Sequence, residues 1–129
     1  MNLPLHFGWL GVFEATLIAF AIGVLCFLFW RWLCRRTGWG EARAIGWACV
    51  SAVAIAAGID SWHLFYLGVV KLESPLYARI ALSKMHDPDF LGTRVFLEWT
   101  GALFGVVLAW SVLARRAMSQ GAVAPDKSP

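Results

Sequence analysis

The sequence predicts an all-α integral membrane protein with three transmembrane helices and a short amphipathic helix in its second loop. Three apolar runs, at about residues 9–33, 45–70 and 95–113, are each long enough to cross a bilayer, which takes about 20 helical residues. The 129 residues are 60% hydrophobic and only 15% charged, with a mean hydropathy of +0.66. We therefore expect a single membrane domain over residues 1–118, followed by a disordered tail over residues 119–129.

Tryptophans lie near the ends of all three runs, as in the aromatic belts at the two membrane interfaces. One side carries Trp9, Trp62 and Trp99, and the other carries Trp30, Trp32, Trp39, Trp47 and Trp110.

Basic residues are concentrated at span ends on one side of the predicted membrane. The first loop carries Arg31, Arg35, Arg36 and Arg43, and Arg115 and Arg116 follow the third run. The positive-inside rule predicts that the first loop and the C-terminus are cytoplasmic and the N-terminus is outside, in a bacterial cytoplasmic membrane. The net charge of +3 does not indicate nucleic-acid binding, because the basic residues cluster at span ends.

The second loop, which is expected on the outer side, contains signals for a short helix. Ser74 and Pro75 suit the N-cap and first helical position, and the pattern after them predicts an amphipathic helix over about 75–85 on the membrane surface. Asp87 and Pro88 then suit the start of the third helix.

Small residues recur every four positions on two of the predicted helices. The second span has Ala48, Ala52 and Ala56, and the third has Gly101 and Gly105. Small residues let transmembrane helices approach closely, so we predict that these two stripes pack against each other.

Ionisable residues interrupt the apolar runs and form the candidate site. Glu14, Asp60, His63 and Glu98 all lie in the outer half of their spans. Asp60 continues the alanine stripe and Glu98 precedes the glycine stripe, so both are expected to face inward. Charged groups at membrane depth usually face a partner or a wet cavity. These four side chains are therefore predicted to converge in a polar intramembrane cluster.

Several interpretations of this cluster are open. In a purely structural role, Asp60 pairs with His63, Glu98 pairs with Arg94, and Glu14 hydrogen-bonds near the interface. In a proton or cation relay, burial lets the carboxylates exchange protons, which would require an oligomer or a larger partner.

Cofactor sites are further alternatives. The Asp60-x-x-His63 spacing resembles half of a carboxylate-bridged metal site, although no second half is present. Haem would need His63 together with His6 or His86, and a quinone or lipid headgroup could contact Trp62, His63 and Tyr66. The identity of any metal stays open, and no cofactor is expected.

No complete catalytic set is found, since the serines lie in no GxSxG or SxxK setting and no P-loop occurs. The sequence therefore favours a non-catalytic accessory or assembly subunit of a larger membrane complex, with the lipid bilayer and other membrane subunits or further copies of itself as partners. A small oligomeric proton or cation transporter is the first alternative. A metal- or haem-dependent membrane enzyme is the second.

Overall fold

The computed structural model describes residues 5–73, 76, 79 and 90–122, and these residues form three long helices without any strand. Helix α1 spans Trp9–Thr37, α2 spans Glu41–Glu73, and α3 spans Leu91–Ala122. All three are long and apolar enough to cross a membrane. The prediction of an all-α protein with three helices able to span a membrane is therefore confirmed for this part of the chain.

Each helix is longer than the apolar run that predicted it. At about 1.5 Å per residue, a helix as long as α1 exceeds a hydrocarbon core about 30 Å thick, so its polar ends extend into the interfaces. Helix α3 also begins four residues earlier than predicted and includes Arg94 in its first turn. At its other end it continues through residues 119–122, which the sequence analysis placed in a disordered tail. Hydropathy marks where a helix can be buried in lipid, not where its hydrogen bonding stops.

A glycine ends α1 and sets the tight connection to α2. Gly38 has a φ of 73°, in the left-handed region that glycine enters without steric cost. Trp39 N–H then donates to the carbonyl oxygen of Cys34 at 3.0 Å, so a carbonyl at the end of the helix is satisfied. Arg35 and Arg36 in the last turn favour the negative end of the helix dipole. Helices α1 and α2 therefore form a hairpin with a very short link.

All three helices pack against one another around a core of mostly small side chains. The predicted alanine stripe of α2 is fully buried in this core, where it meets residues of both other helices. The core cluster consists of Ala19, Phe27, Ala48, Ala52, Ala56, Ala102 and Val106.

The predicted partner of the glycine stripe was wrong, because Gly101 and Gly105 pack against α1. A Cβ added at Gly101 would lie 2.7 Å from the carbonyl oxygen of Thr16, and one at Gly105 would overlap the carbonyl oxygen of Phe20. From the other side, a Cβ at Gly23 would overlap Ala102 and approach the Cα of Gly105. A stripe of small residues indicates where a neighbour comes close but not which helix that neighbour is.

The predicted amphipathic helix over about 75–85 lies outside the described residues, except for Leu76 and Arg79. Both of these are exposed. His86, Asp87 and Pro88, which were expected to lead into the third helix, are outside the described residues as well.

Candidate functional site

Two of the predicted acidic residues are buried together where α2 and α3 meet. Asp60 follows Ala56 by one helical turn on the buried face of α2, and its exposed fraction is 1%. Glu98 precedes Gly101 by three residues on α3 and is fully buried. Ala56 on α2 and Ala102 on α3 are small residues of the shared core, and they let the two backbones come close enough for these side chains to meet.

Arg94 lies between the two carboxylates and has an exposed fraction of only 3%. Its Nε is 3.4 Å from Oδ2 of Asp60 and 3.5 Å from Oε1 of Glu98. The pairing of Arg94 with Glu98 at i,i+4 was predicted, whereas its pairing with Asp60 was not. We refer to Asp60, Arg94 and Glu98 as the buried charge triad.

Burial of these three charged groups is energetically unfavourable, so the stability of the buried state depends on how they are paired. Each ion that leaves water loses several kcal/mol of hydration, which its partners must offset at short range. Removing one partner leaves an uncompensated charge and typically costs about 3–5 kcal/mol. The triad is thus a strong constraint on how α2 and α3 are aligned.

A hydrogen bond next to the triad fixes the same alignment. Trp99 follows Glu98, and its indole Nε1 donates to Oγ of Ser61, which follows Asp60, at 3.0 Å. The opposite end of the bundle has an equivalent link, in which Trp30 Nε1 donates to Oγ of Ser51 at 3.0 Å. From the sequence, both tryptophans were predicted only to be belt residues at the membrane interfaces. For Trp99, its position directly after the intramembrane Glu98 is the signal that would have found the link.

Glu14 was predicted to join a cluster with Asp60, His63 and Glu98, but its contacts are with His6. Its Oε1 lies 2.8 Å from Nδ1 of His6, and its Oε2 accepts from the backbone N–H of His6 at 3.3 Å. The side chain of His6 is 68% exposed and that of Glu14 is 31% exposed. Glu14 therefore ties the segment before α1 back onto that helix.

His63 shares the face of Asp60 on α2 and is half-buried. Its Nδ1 is buried and has no hydrogen-bond partner in the part of the chain that the structure describes. Arg94 takes the place at Asp60 that the sequence analysis gave to His63. The neighbouring Trp62 and Tyr66 are exposed, as belt residues are.

No group of three or more His, Cys, Asp or Glu side chains that could hold a metal ion occurs among the described residues. Asp60 and Glu98 meet an arginine, which repels cations and has no lone pair to donate to a metal. The contacts described for the triad are charge pairs and hydrogen bonds. His6 lies before α1 and is exposed, and His86 is outside the described residues.

Comparison of the chain with protein-family models, curated proteins and solved structures gave no match.

Proposed function

We propose that the protein is a non-catalytic accessory or assembly subunit of a larger membrane complex. The observation that carries this proposal is the use of the intramembrane carboxylates: Asp60 and Glu98 are paired with Arg94, and Glu14 is paired with His6. Groups that conduct ions or perform chemistry must face a substrate or a water path. Groups used to hold helices together suit a protein whose role is to present a defined surface.

The aromatic side chains at one end of α2 are the best candidates for such a surface. Trp62 and Phe65 are 63% and 64% exposed, and their rings lie 6.0 Å apart between centroids. They are in the same stretch of α2 as Asp60, so the triad fixes the helix that carries them. Large aromatic residues are also the side chains most often found at the centres of protein interfaces.

The test is purification of the tagged, full-length protein in a mild detergent, followed by native mass measurement and identification of the components. We expect a complex with another membrane protein at fixed stoichiometry. Trp62→Ala with Phe65→Ala should lower its yield at least about tenfold, as expected for loss of interface anchors. Phe13→Ala with Leu17→Ala is the control, because these apolar side chains are 61% and 52% exposed on a different helix, α1.

Two results would contradict the proposal. One is a protein that runs as a monomer or as a homo-oligomer with no second component under all mild conditions. The other is proton or cation flux in reconstituted vesicles that Asp60→Asn abolishes while the protein stays folded. That second result would favour the transporter alternative, since the amide keeps the size and hydrogen bonding of Asp60 but cannot ionise.

The proposed orientation has the N-terminus outside and the C-terminus in the cytoplasm, in a bacterial cytoplasmic membrane. It is supported by the arginines at the adjoining ends of α1 and α2 and by Arg115 and Arg116 near the end of α3. A reporter fused after Pro129 should be active only in the cytoplasm, and a tag inserted near Ser83 should be labelled from outside. An externally labelled C-terminus would reverse the orientation.

A further inference from the structure

Two arginines near the end of α1 line cavities on both sides of that helix. Between α1 and the start of α2, Arg31 and Arg35 line a cavity together with Trp39 and Glu41. Towards α3, the same two arginines line a second cavity, whose other walls include Leu28 and Leu113. Both guanidinium groups are therefore within reach of a ligand held at this end of the bundle.

An apolar groove between α1 and α3 continues from the second cavity along the helices. It has a volume of about 300 Å³ and shares Leu28 and Leu113 with that cavity. Phe20 and Val24 line its far part from α1, and Val112 lines it from α3. The groove is therefore lined by apolar side chains and has two arginines at one end.

The hydrogen-bonding capacity of these arginines is incompletely used. Nη1 of Arg31 is buried and makes no hydrogen bond in the described part of the chain, although Oε1 of Glu41 lies 3.5 Å away. Arg35 is exposed and makes no ion pair with any described residue. Two nearby arginines instead contact aromatic rings. The guanidinium of Arg36 lies 4.6 Å from the ring centroid of Trp32, and that of Arg43 lies 5.6 Å from the ring centroid of Trp39.

From this arrangement we infer that the protein binds an anionic phospholipid, with the phosphate at Arg31 and Arg35 and one acyl chain in the groove between α1 and α3. Guanidinium groups bind phosphate oxygens through paired N–H donors, and basic pockets between transmembrane helices favour anionic headgroups. Glu41 is the carboxylate with which the phosphate would compete for Arg31. The apolar groove is the reason for assigning a lipid rather than a soluble phosphate compound.

Native mass spectrometry of the full-length protein titrated with phosphatidylglycerol tests this inference. We expect a saturable complex with one bound lipid and much weaker binding of phosphatidylcholine. Arg31→Gln and Arg35→Gln should each weaken binding about fivefold, following a contribution of about 1 kcal/mol per basic residue. Arg36→Gln removes the same charge from a side chain that lines neither cavity, so it should stay within about twofold of wild type.

Separate arms distinguish the lipid from a soluble phosphate. Val112→Trp should fill the groove and weaken lipid binding, and Val112 is 41% exposed, so the fold should be unaffected. A thermal unfolding measurement on each variant verifies this. Displacement of the lipid by millimolar inorganic phosphate, with normal binding in Val112→Trp, would overturn the lipid assignment. Equal losses in Arg36→Gln and Arg31→Gln would also overturn it, because they would indicate only nonspecific attraction to basic residues.

Discussion

Replacing Arg94 by glutamine should destabilise the protein by about 3–5 kcal/mol, the largest electrostatic effect expected in this chain. The substitution removes the guanidinium from between Asp60 and Glu98, which are 1% and 0% exposed. Two buried carboxylates then lose their shared cation in a region from which water is largely excluded. The measurement is unfolding of the purified protein in detergent, followed by tryptophan fluorescence.

Two further variants show whether the charge is responsible. Arg116→Gln removes an equally positive side chain from an exposed position on the same helix and should leave stability unchanged within about 0.5 kcal/mol. Combining Arg94→Gln with Asp60→Asn and Glu98→Gln should recover part of the lost stability, because the cost lies mainly in unpaired charge. Wild-type stability in Arg94→Gln alone would show that the triad does not hold α2 and α3 together.

Gly105→Leu is expected to separate α1 from α3 and to destabilise the protein by about 3 kcal/mol, at the upper end of the overpacking scale. A Cβ at this position would already overlap the backbone carbonyl of Phe20, so a change of rotamer cannot make room for leucine. The effect should appear as a lower unfolding midpoint and less folded protein after detergent extraction.

Gly46→Leu is the matched control for this substitution. Gly46 is exposed on α2, and a Cβ there would meet no atom within 4 Å. The control should therefore keep the stability of the wild type while adding the same apolar side chain. Equal accumulation and equal stability of Gly105→Leu and the control would contradict the close crossing of α1 and α3.

The helices were predictable from sequence because a bilayer imposes a length and a composition on whatever crosses it. Burial of the alanine stripe was predictable too, since helical periodicity places Ala48, Ala52 and Ala56 on one face. The helix that packs against Gly101 and Gly105 was not predictable, because periodicity shows which residues share a face but not which helix lies against that face. Gly23 on α1 was the missing half of that contact.

The candidate site was predictable in part for a similar reason. Asp60 and Glu98 stood out because charge is rare within apolar runs, and their inward orientation followed from the small residues beside them. Arg94 was not included in the third predicted span because it precedes the apolar run, although α3 begins before it. The partner of Glu14 lies outside any helix, and no periodic signal connects His6 to it.

The buried charge triad also makes the order of synthesis matter. The ribosome delivers Asp60 before Arg94, and the intervening residues take on the order of seconds to translate. Helix α2 can pair with α1 at once through the tight turn at Gly38, but Arg94 arrives only with the last helix. Until α3 enters, Asp60 therefore lacks its contact with Arg94, and water at the membrane interface is available to solvate the carboxylate instead. Entry of the third helix is then the step that completes the triad.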